Sequence, residues 1–369
     1  MRQLTIEQLH NAIAHFELGG EVTGMIPYGN GHINATNKVL VDRWDGSEAL
    51  YILQAVNGDV FPKPLEVIEN IRRVTDFLRS KATDPRQVLR LVPTLDRQDC
   101  YVDEEGVCFR VYCFVTGAVC LERPDSMSDF YQCAYAFGKF QRDLSNFPAD
   151  QLHETLKDFH NTPKRFRDFT AAVAENASGR ADTCPEEIAF VQAREAFCSV
   201  LMDAHKEGRL PLRVTHNDTK INNVMLDAVT RTALCVIDLD TVMPGFSVTD
   251  FGDSIRFGAN TAAEDEKDLS KVSLDMDLFE EYLRGYLDGC DGKLGAEEIM
   301  LLPEGAKMMT LECGMRFLAD YIQGDVYFHT AYADHNLVRC RTQFRLVECM
   351  EEHWDEMKAC AEKYAKKYR

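Results

Sequence analysis

No apolar run in this chain of 369 residues approaches the roughly 18 positions of a membrane-spanning helix. The N-terminus, Met1-Arg2-Gln3-Leu4-Thr5, opens a polar amphipathic stretch and not a signal peptide. Positive charge is in deficit: 41 basic residues stand against 60 acidic ones, and the formal charge of -19 argues against nucleic acid or an anionic membrane as partner. The signatures of disulfide and zinc chemistry are missing as well. The 13 cysteines include no C-x-x-C pair, and no histidine cluster stands at zinc-ligand spacing. Cys113, Cys133, Cys235 and Cys313 lie inside apolar patterns, where a free thiol behaves as a small hydrophobe. A reducing, cytoplasmic location is expected. There is no internal repeat or low-complexity segment. The composition, 45% hydrophobic and 27% charged, is that of a globular chain with length for about two domains.

What is present divides near residue 115. Thr5 precedes apolar positions at Ile6, Leu9, Ile13 and Phe16, a helix start. Short strands are expected over 22–26, 36–41, 50–53, 88–95, 100–102 and 107–114, with a helix over 62–80. Asp45-Gly46 reads as an ordinary hairpin turn. The other separator, Tyr28-Gly29-Asn30-Gly31-His32, has two glycines that allow backbone N–H groups to approach a phosphate, although a plain hairpin fits equally. Residues 116–369 are mostly helical, with periodic segments after Asp125-Ser126 and over 186–207, 278–287, 297–323 and 337–366. The expected class is α+β, with a β-rich lobe over 1–115 and a helical lobe over 116–369.

The chemistry concentrates between Val214 and Asp240. His216-Asn217-Asp218 follows an apolar strand, and Lys220 and Asn223 come two and five residues after Asp218. In phosphoryl transfer a carboxylate orients or accepts the proton of the acceptor hydroxyl, a lysine reaches the moving phosphoryl group and an amide ligates magnesium. An Asx-rich turn without chemistry is the alternative. Asp238 weakens that alternative, because it ends the apolar run Ala233-Leu234-Cys235-Val236-Ile237, and an ionised carboxylate is rarely left there without a partner. Asp240 points the same way if the strand continues, as a second ligand. Oxygen donors of this kind suit Mg2+ better than zinc.

His216-x-Asp218-x-x-x-x-Asn223, followed by Ile237-Asp238-Leu239-Asp240, resembles the aminoglycoside phosphotransferase and choline kinase group, whose fold is the two-lobed one of protein kinases. Within that group, the stretches 28–34, 51–54, 215–220, 237–245, 250–257 and 313–321 are similar to kinases that act on N-acetylhexosamines. The resemblance implies phosphorylation of a sugar's anomeric hydroxyl, with ATP and Mg2+. It implies that Asp218 is the catalytic carboxylate, that Asn223 and Asp238 are magnesium ligands, and that Asp250 is a buried anchor of the loop that begins at His216. Gly29, Asn30 and Gly31 match the nucleotide loop, and Tyr112, Cys113, Phe114 and Val115 match the hinge beside adenine. One departure stands out: where the kinase fold usually places a lysine on its third strand, this chain has Gln54, a neutral donor. Lys220 is the nearest replacement for that charge, and Glu66 and Glu69 lose their expected lysine partner.

Arg316 lies in a helical segment that is apolar on most sides, and a buried arginine needs a carboxylate or a ligand. A contact to a sugar hydroxyl and an ion pair with Asp250 or Asp253 are the two readings. Tyr327 can stack on a pyranose or fill the core, and His32 can reach sugar or phosphate from the nucleotide loop. Glu264-Asp265-Glu266 reads as the acidic first turn of a helix. The rivals to a sugar kinase are a kinase of an amino alcohol or aminoglycoside and a nucleotide-binding pseudokinase. The oligomeric state is left open.

Overall fold

The computed structural model describes residues 4–29 and 33–368. Thr5 caps helix α1 (Ile6–Ile13): its hydroxyl accepts the Gln8 N–H and the Gln8 side chain returns to the Thr5 N–H. Strands β1 (Gly20–Pro27), β2 (Ala35–Arg43) and β3 (Glu48–Ala55) form an antiparallel meander. After α2 (Pro64–Arg79), β4 (Tyr101–Val102) and β5 (Cys108–Cys113) complete a sheet of order β1-β2-β3-β5-β4. The two-residue alternation sends Val39, Val41, Leu53, Phe109 and Val111 to one face, where they bury against Ile13 and Phe16 of the N-terminal segment. Thr36, Gln54 and Arg110 occupy the opposite face, side by side by register.

The strand expected over 88–95 does not form. After a 3-10 turn at Pro85–Gln87 only two isolated bridges occur there, Leu91 to Tyr112 and Thr94 to Phe16. Pro93, which has no N–H to give a ladder, lies between them.

The chain then enters the larger lobe. β6 (Ala118–Cys120) leads to α3 (Met127–Asp143), α4 (Thr162–Glu175), α5 (Pro185–Gln192) and α6 (Val200–Lys206). Next come β7 (Arg213–Thr215), β8 (Val224–Asp227), β9 (Ala233–Val236) and β10 (Met243–Gly245). β6, β8 and β9 make one small sheet and β7 with β10 another. Helices α7 (Ser247–Gly258), α8 (Met276–Cys290), α9 (Ala296–Met300), α10 (Leu302–Gln323), α11 (His335–Glu352) and α12 (Trp354–Lys367) follow.

Three expected helices are each two. A 3-10 turn at Glu195–Ser199 parts α5 from α6, Leu301 parts α9 from α10, and His353 parts α11 from α12. At the second break Pro303 cannot continue an existing helix but suits the first turn of a new one. Glu264-Asp265-Glu266 lies in a turn and starts no helix; Glu264 pairs with Arg256 and Arg339.

α7 and α10 cross with backbones in contact. A Cβ on Gly252 would lie 2.2 Å from the Gly305 carbonyl oxygen, and one on Gly305 would lie 2.1 Å from that of Val248. This approach brings Asp250 and Asp253 of α7 beside the helix that carries Glu312 and Arg316. The core around it is built from Phe130, Phe251, Phe279, Tyr282 and Tyr286. No helix among the described residues is long and apolar enough to cross a membrane.

Candidate active site

Strand β7 ends where the polar triplet begins, and Asp250 receives the chain there. One of its carboxylate oxygens accepts the His216 N–H (2.9 Å) and the Gln141 amide (3.0 Å), and the other accepts the Asn217 N–H (2.8 Å). Burial pushes the Asp250 carboxyl up, and the N–H donors around it pull the other way. Asn217 adopts the left-handed conformation, with φ +65°, and turns the chain so that Asp218 leaves the strand. The Asp218 carboxylate then meets Lys220 Nζ at 2.9 Å and the Asn223 amide nitrogen at 3.1 Å. The Asp218 charge raises Lys220 well above the ordinary lysine value, so its ammonium persists across the physiological range.

The Ile237 peptide joins the two loops. Its N–H donates to the Asn223 carbonyl (2.9 Å), and its carbonyl accepts from His216 Nε2 (2.8 Å). Asp238 follows in the left-handed conformation, with φ +58°. Its side chain opens onto solvent, yet the surrounding protein mass, and then the charges of Asp240 and Asp218, push it up to about 6. Such crowding of carboxylates is relieved by a cation.

The donor set fits magnesium. The Asn223 amide gives its N–H to Asp218, and neither Asn223 Oδ1 nor the Asp238 carboxylate has a donor among the described residues. Among the described residues no group of three or more His, Cys, Asp or Glu could hold a metal. That is expected of Mg2+, which takes one or two protein oxygens and completes its shell with phosphate and water. Asp240 is not a second ligand here. β9 ends at Val236, and Asp240 turns inward on the 3-10 turn Leu239–Thr241, where Arg110 (2.5 Å) and the Asn34 amide (2.5 Å) hold its two oxygens.

In the loop that the resemblance assigns to the nucleotide, Gly29 has φ +82°, while Asn30, Gly31 and His32 lie outside the described residues. In the hinge, the N–H groups of Cys113 and Phe114 go to the carbonyls of Arg90 and Leu50, and that of Val115 has no acceptor among the described residues. Tyr112 is buried beside Arg110. Gln54 donates to Thr36 (3.0 Å), and its carbonyl accepts from Arg110 at 3.0 and 2.8 Å. Arg110, 1% exposed, is therefore the buried cation of this face of the sheet, directly opposite Gln54. Sequence reasoning passed over it. Its signal was a lone charge inside the apolar run Phe109-Arg110-Val111-Tyr112, which demands a partner; that partner, Asp240, belongs to the other lobe. Glu66 stays local with Lys63, while Glu69 meets Arg73 of its own helix and His153 of the larger lobe.

Arg316 pairs with neither expected aspartate, since Asp253 takes Arg256 and Asp250 takes the loop. Its guanidinium has no hydrogen bond or ion pair among the described residues and lies 5.4 to 5.9 Å from the ring centres of Phe328, Phe159 and Tyr327. Tyr327 is 64% exposed, so it is no core aromatic. Its loop hangs on Asp320, whose carboxylate accepts the N–H groups of Val326 (2.9 Å), Tyr327 (2.8 Å) and Phe328 (2.9 Å). Asp320 also escaped the sequence reading, because nothing local marks an aspartate inside a helix as an anchor.

Solved structures share this architecture at low identity. A microcompartment-associated aminopropanol kinase matches with a TM-score of 0.60 and 16% identity over 96% of this chain and 99% of that one. An aminoglycoside phosphotransferase from Alicyclobacillus acidocaldarius matches at 0.59 and 11%, over 99% and 98%. An amicoumacin kinase, solved in complex with AMP-PNP, Ca2+ and Ami, matches at 0.58 and 12%, over 93% of each chain. The family model described as "Phosphotransferase enzyme family" matches residues 28–292, from the glycine loop through the Asp218, Asn223, Asp238 and Asp250 constellation to the end of α8. The chain belongs to that phosphotransferase enzyme family.

Proposed function

We propose that this protein is an ATP-dependent N-acetylhexosamine 1-kinase, phosphorylating the anomeric hydroxyl of N-acetylglucosamine or N-acetylgalactosamine. The observation that carries the choice of acceptor is Arg316. A cation without a carboxylate partner, set among Phe159, Tyr327 and Phe328, repels a cationic amino alcohol or aminoglycoside and favours a neutral, hydroxyl-rich ring that stacks and hydrogen-bonds. Residues 1–115 act as the nucleotide lobe and 116–369 as the acceptor lobe. Adenine lies against the hinge from Tyr112 to Val115, where the free Val115 N–H meets a ring nitrogen, and Gly29, Asn30 and Gly31 cover the phosphates.

Asn223 Oδ1 and the Asp238 carboxylate would hold a magnesium ion, which would offset the negative charge of the phosphates. Asp218 orients the anomeric hydroxyl and takes its proton as the oxygen–phosphorus bond forms and the bond from the γ-phosphorus to the β,γ-bridging oxygen breaks. Lys220, whose ammonium already touches Asp218, swings toward the transferring group and supplies charge that Gln54 does not. Arg316, Tyr327 and His32 line the acceptor. The thirteen unpaired thiols suit a cytoplasmic enzyme.

An ADP-release panel of N-acetylhexosamines, choline, ethanolamine, aminopropanol and aminoglycosides tests this, with the product mapped by phosphorus NMR. Turnover with the hexosamines and a glycosyl 1-phosphate signal is the expected result. Turnover confined to a cationic acceptor replaces the sugar reading with the amino alcohol one, and nucleotide binding without transfer to any acceptor leaves a pseudokinase.

A further inference from the structure

The peptide that precedes Asp218 is held at both ends by imidazole rings. The Asn217 carbonyl lies 3.3 Å from His160 Nε2, and the Asp218 N–H lies 3.3 Å from His216 Nδ1. A backbone N–H can only donate, so His216 Nδ1 accepts and its Nε2 carries the proton given to Ile237. His160 is in the opposite situation. Its Nδ1 meets Glu312 Oε1 at 2.9 Å and its Nε2 meets a carbonyl, so both neighbours are acceptors and only the imidazolium satisfies both.

We propose that His160 is a positioning residue: its imidazolium, held by Glu312 of α10, fixes the plane of the Asn217–Asp218 peptide and ties the acceptor-side helix to the catalytic carboxylate.

Three further observations support this role. Burial opposes charge on His160, but the Glu312 bond and charge, with a smaller push from Asp253, outweigh it and raise the ring above its ordinary value. Glu312 is 1% exposed; burial would raise it, yet His160, the Thr162 hydroxyl at 2.6 Å and the charge of Arg316 hold it below the usual carboxylate range. Asn217 is in the left-handed conformation, which asparagine tolerates and local hydrogen bonds here hold. Its N–H goes to Asp250, and its side chain accepts from Thr215 (3.0 Å) and donates to the Thr241 carbonyl (2.8 Å). The carbonyl is the remaining group, and His160 takes it.

Glu312 lies one turn before Arg316, so the residue that meets the acceptor and the residue that charges His160 share a helix face. The charged groups that act on His160 are Glu312 of α10 and Asp253 of α7. Asp253 is itself paired with Arg256 and influenced by Lys220, while Arg316 acts on Glu312. The inference rests on Asp218 as the phosphoryl-transfer carboxylate and not on the identity of the acceptor.

The test is the pH profile of kcat at saturating MgATP and acceptor. Wild type shows a descending alkaline limb, because the charged ring is lost as pH rises through the raised His160 value. Glu312→Gln moves that limb to lower pH by about one unit or more. His160→Gln, which keeps a donor but cannot titrate, abolishes the limb and lowers kcat about tenfold while KM for MgATP stays within about twofold. A purely structural residue would lower the melting temperature and the active fraction and leave the limb in place, so an unmoved limb in both variants overturns the proposal. Long-range 1H–15N spectra of the wild-type protein, assigned through the His160 backbone, read the ring without any variant. Two protonated nitrogens at pH 7 are expected, and a neutral ring overturns the proposal. A doubly protonated ring in a protein that transfers phosphoryl to nothing sinks the kinase reading instead.

Discussion

Two loops of the large lobe hang from buried aspartates in the same way, and they differ in everything else. Asp250 holds the loop at His216 and Asn217 with two backbone N–H bonds, both in the interior, and Asn217 is tied again through its side chain and carbonyl. Asp320 holds the loop at Val326, Tyr327 and Phe328 with three such bonds, yet Val326 and Tyr327 are 75% and 64% exposed. The second loop stands closer to solvent than the first. On the proposed reading, the chemistry is placed by a loop bonded along its length, and recognition by one held at its root with exposed side chains.

The contrast can be broken at its strongest point first. Asp218→Asn keeps the shape of the first loop and removes the proton acceptor; turnover is expected to fall by about 10²–10⁴ while MgADP binding, measured by calorimetry, is retained. Near-full activity would remove Asp218 from its role. Asp238→Asn should also abolish turnover, but with the opposite effect on stability. Because burial and like charges raise this carboxyl to about 6, its ionised form costs stability above that pH. The variant's metal-free protein should melt about 1–3 °C higher than wild type at pH 8, and the gain should shrink as pH falls below 6 and be gone near pH 4, the ordinary aspartate value.

The two anchors come next. Asp250→Ala strands two buried N–H groups at roughly 1–3 kcal/mol each and should destabilise by about 3 kcal/mol in urea titration, with kcat reduced in the surviving protein. Asp320→Ala leaves three N–H groups of a partly exposed loop and removes one of the two bonds made by the buried Asn336 amide; a loss of about 1–2 kcal/mol is expected, felt mainly as a raised KM for the acceptor. Equal losses at the two sites would erase the distinction. Smallest is Tyr327→Ala, for which no change in melting temperature and a several-fold rise in acceptor KM, on the order of 1 kcal/mol of stacking, are expected.

Much of this was legible from local pattern. The meander of β1 to β3 is written in alternation, α1 in its capping box, and the loop from Asp218 to Asn223 in a run of polar residues directly after an apolar strand. The misses have specific causes. Helical periodicity runs unbroken through 186–207 and 337–366, so the breaks at 195–199 and at His353 leave no mark in it. Asp240 aligns with Asp238 only if the strand continues four residues past Val236, where β9 ends. Arg110 was visible as a charge in an apolar strand, but its partner was not.

What the sequence determined by itself is therefore what depends on neighbours along the chain: element type, the polar loops, and the residue kinds that phosphoryl transfer requires. Only the tertiary structure decided which charges are satisfied. Arg110 closes on Asp240 across the lobes, His160 on Glu312, and Asp250 on the loop, while Arg316 makes no ion pair among the described residues and lies over aromatic rings. Pairing energy depends on distance in space and on exclusion of water, and neither quantity exists until the chain has folded.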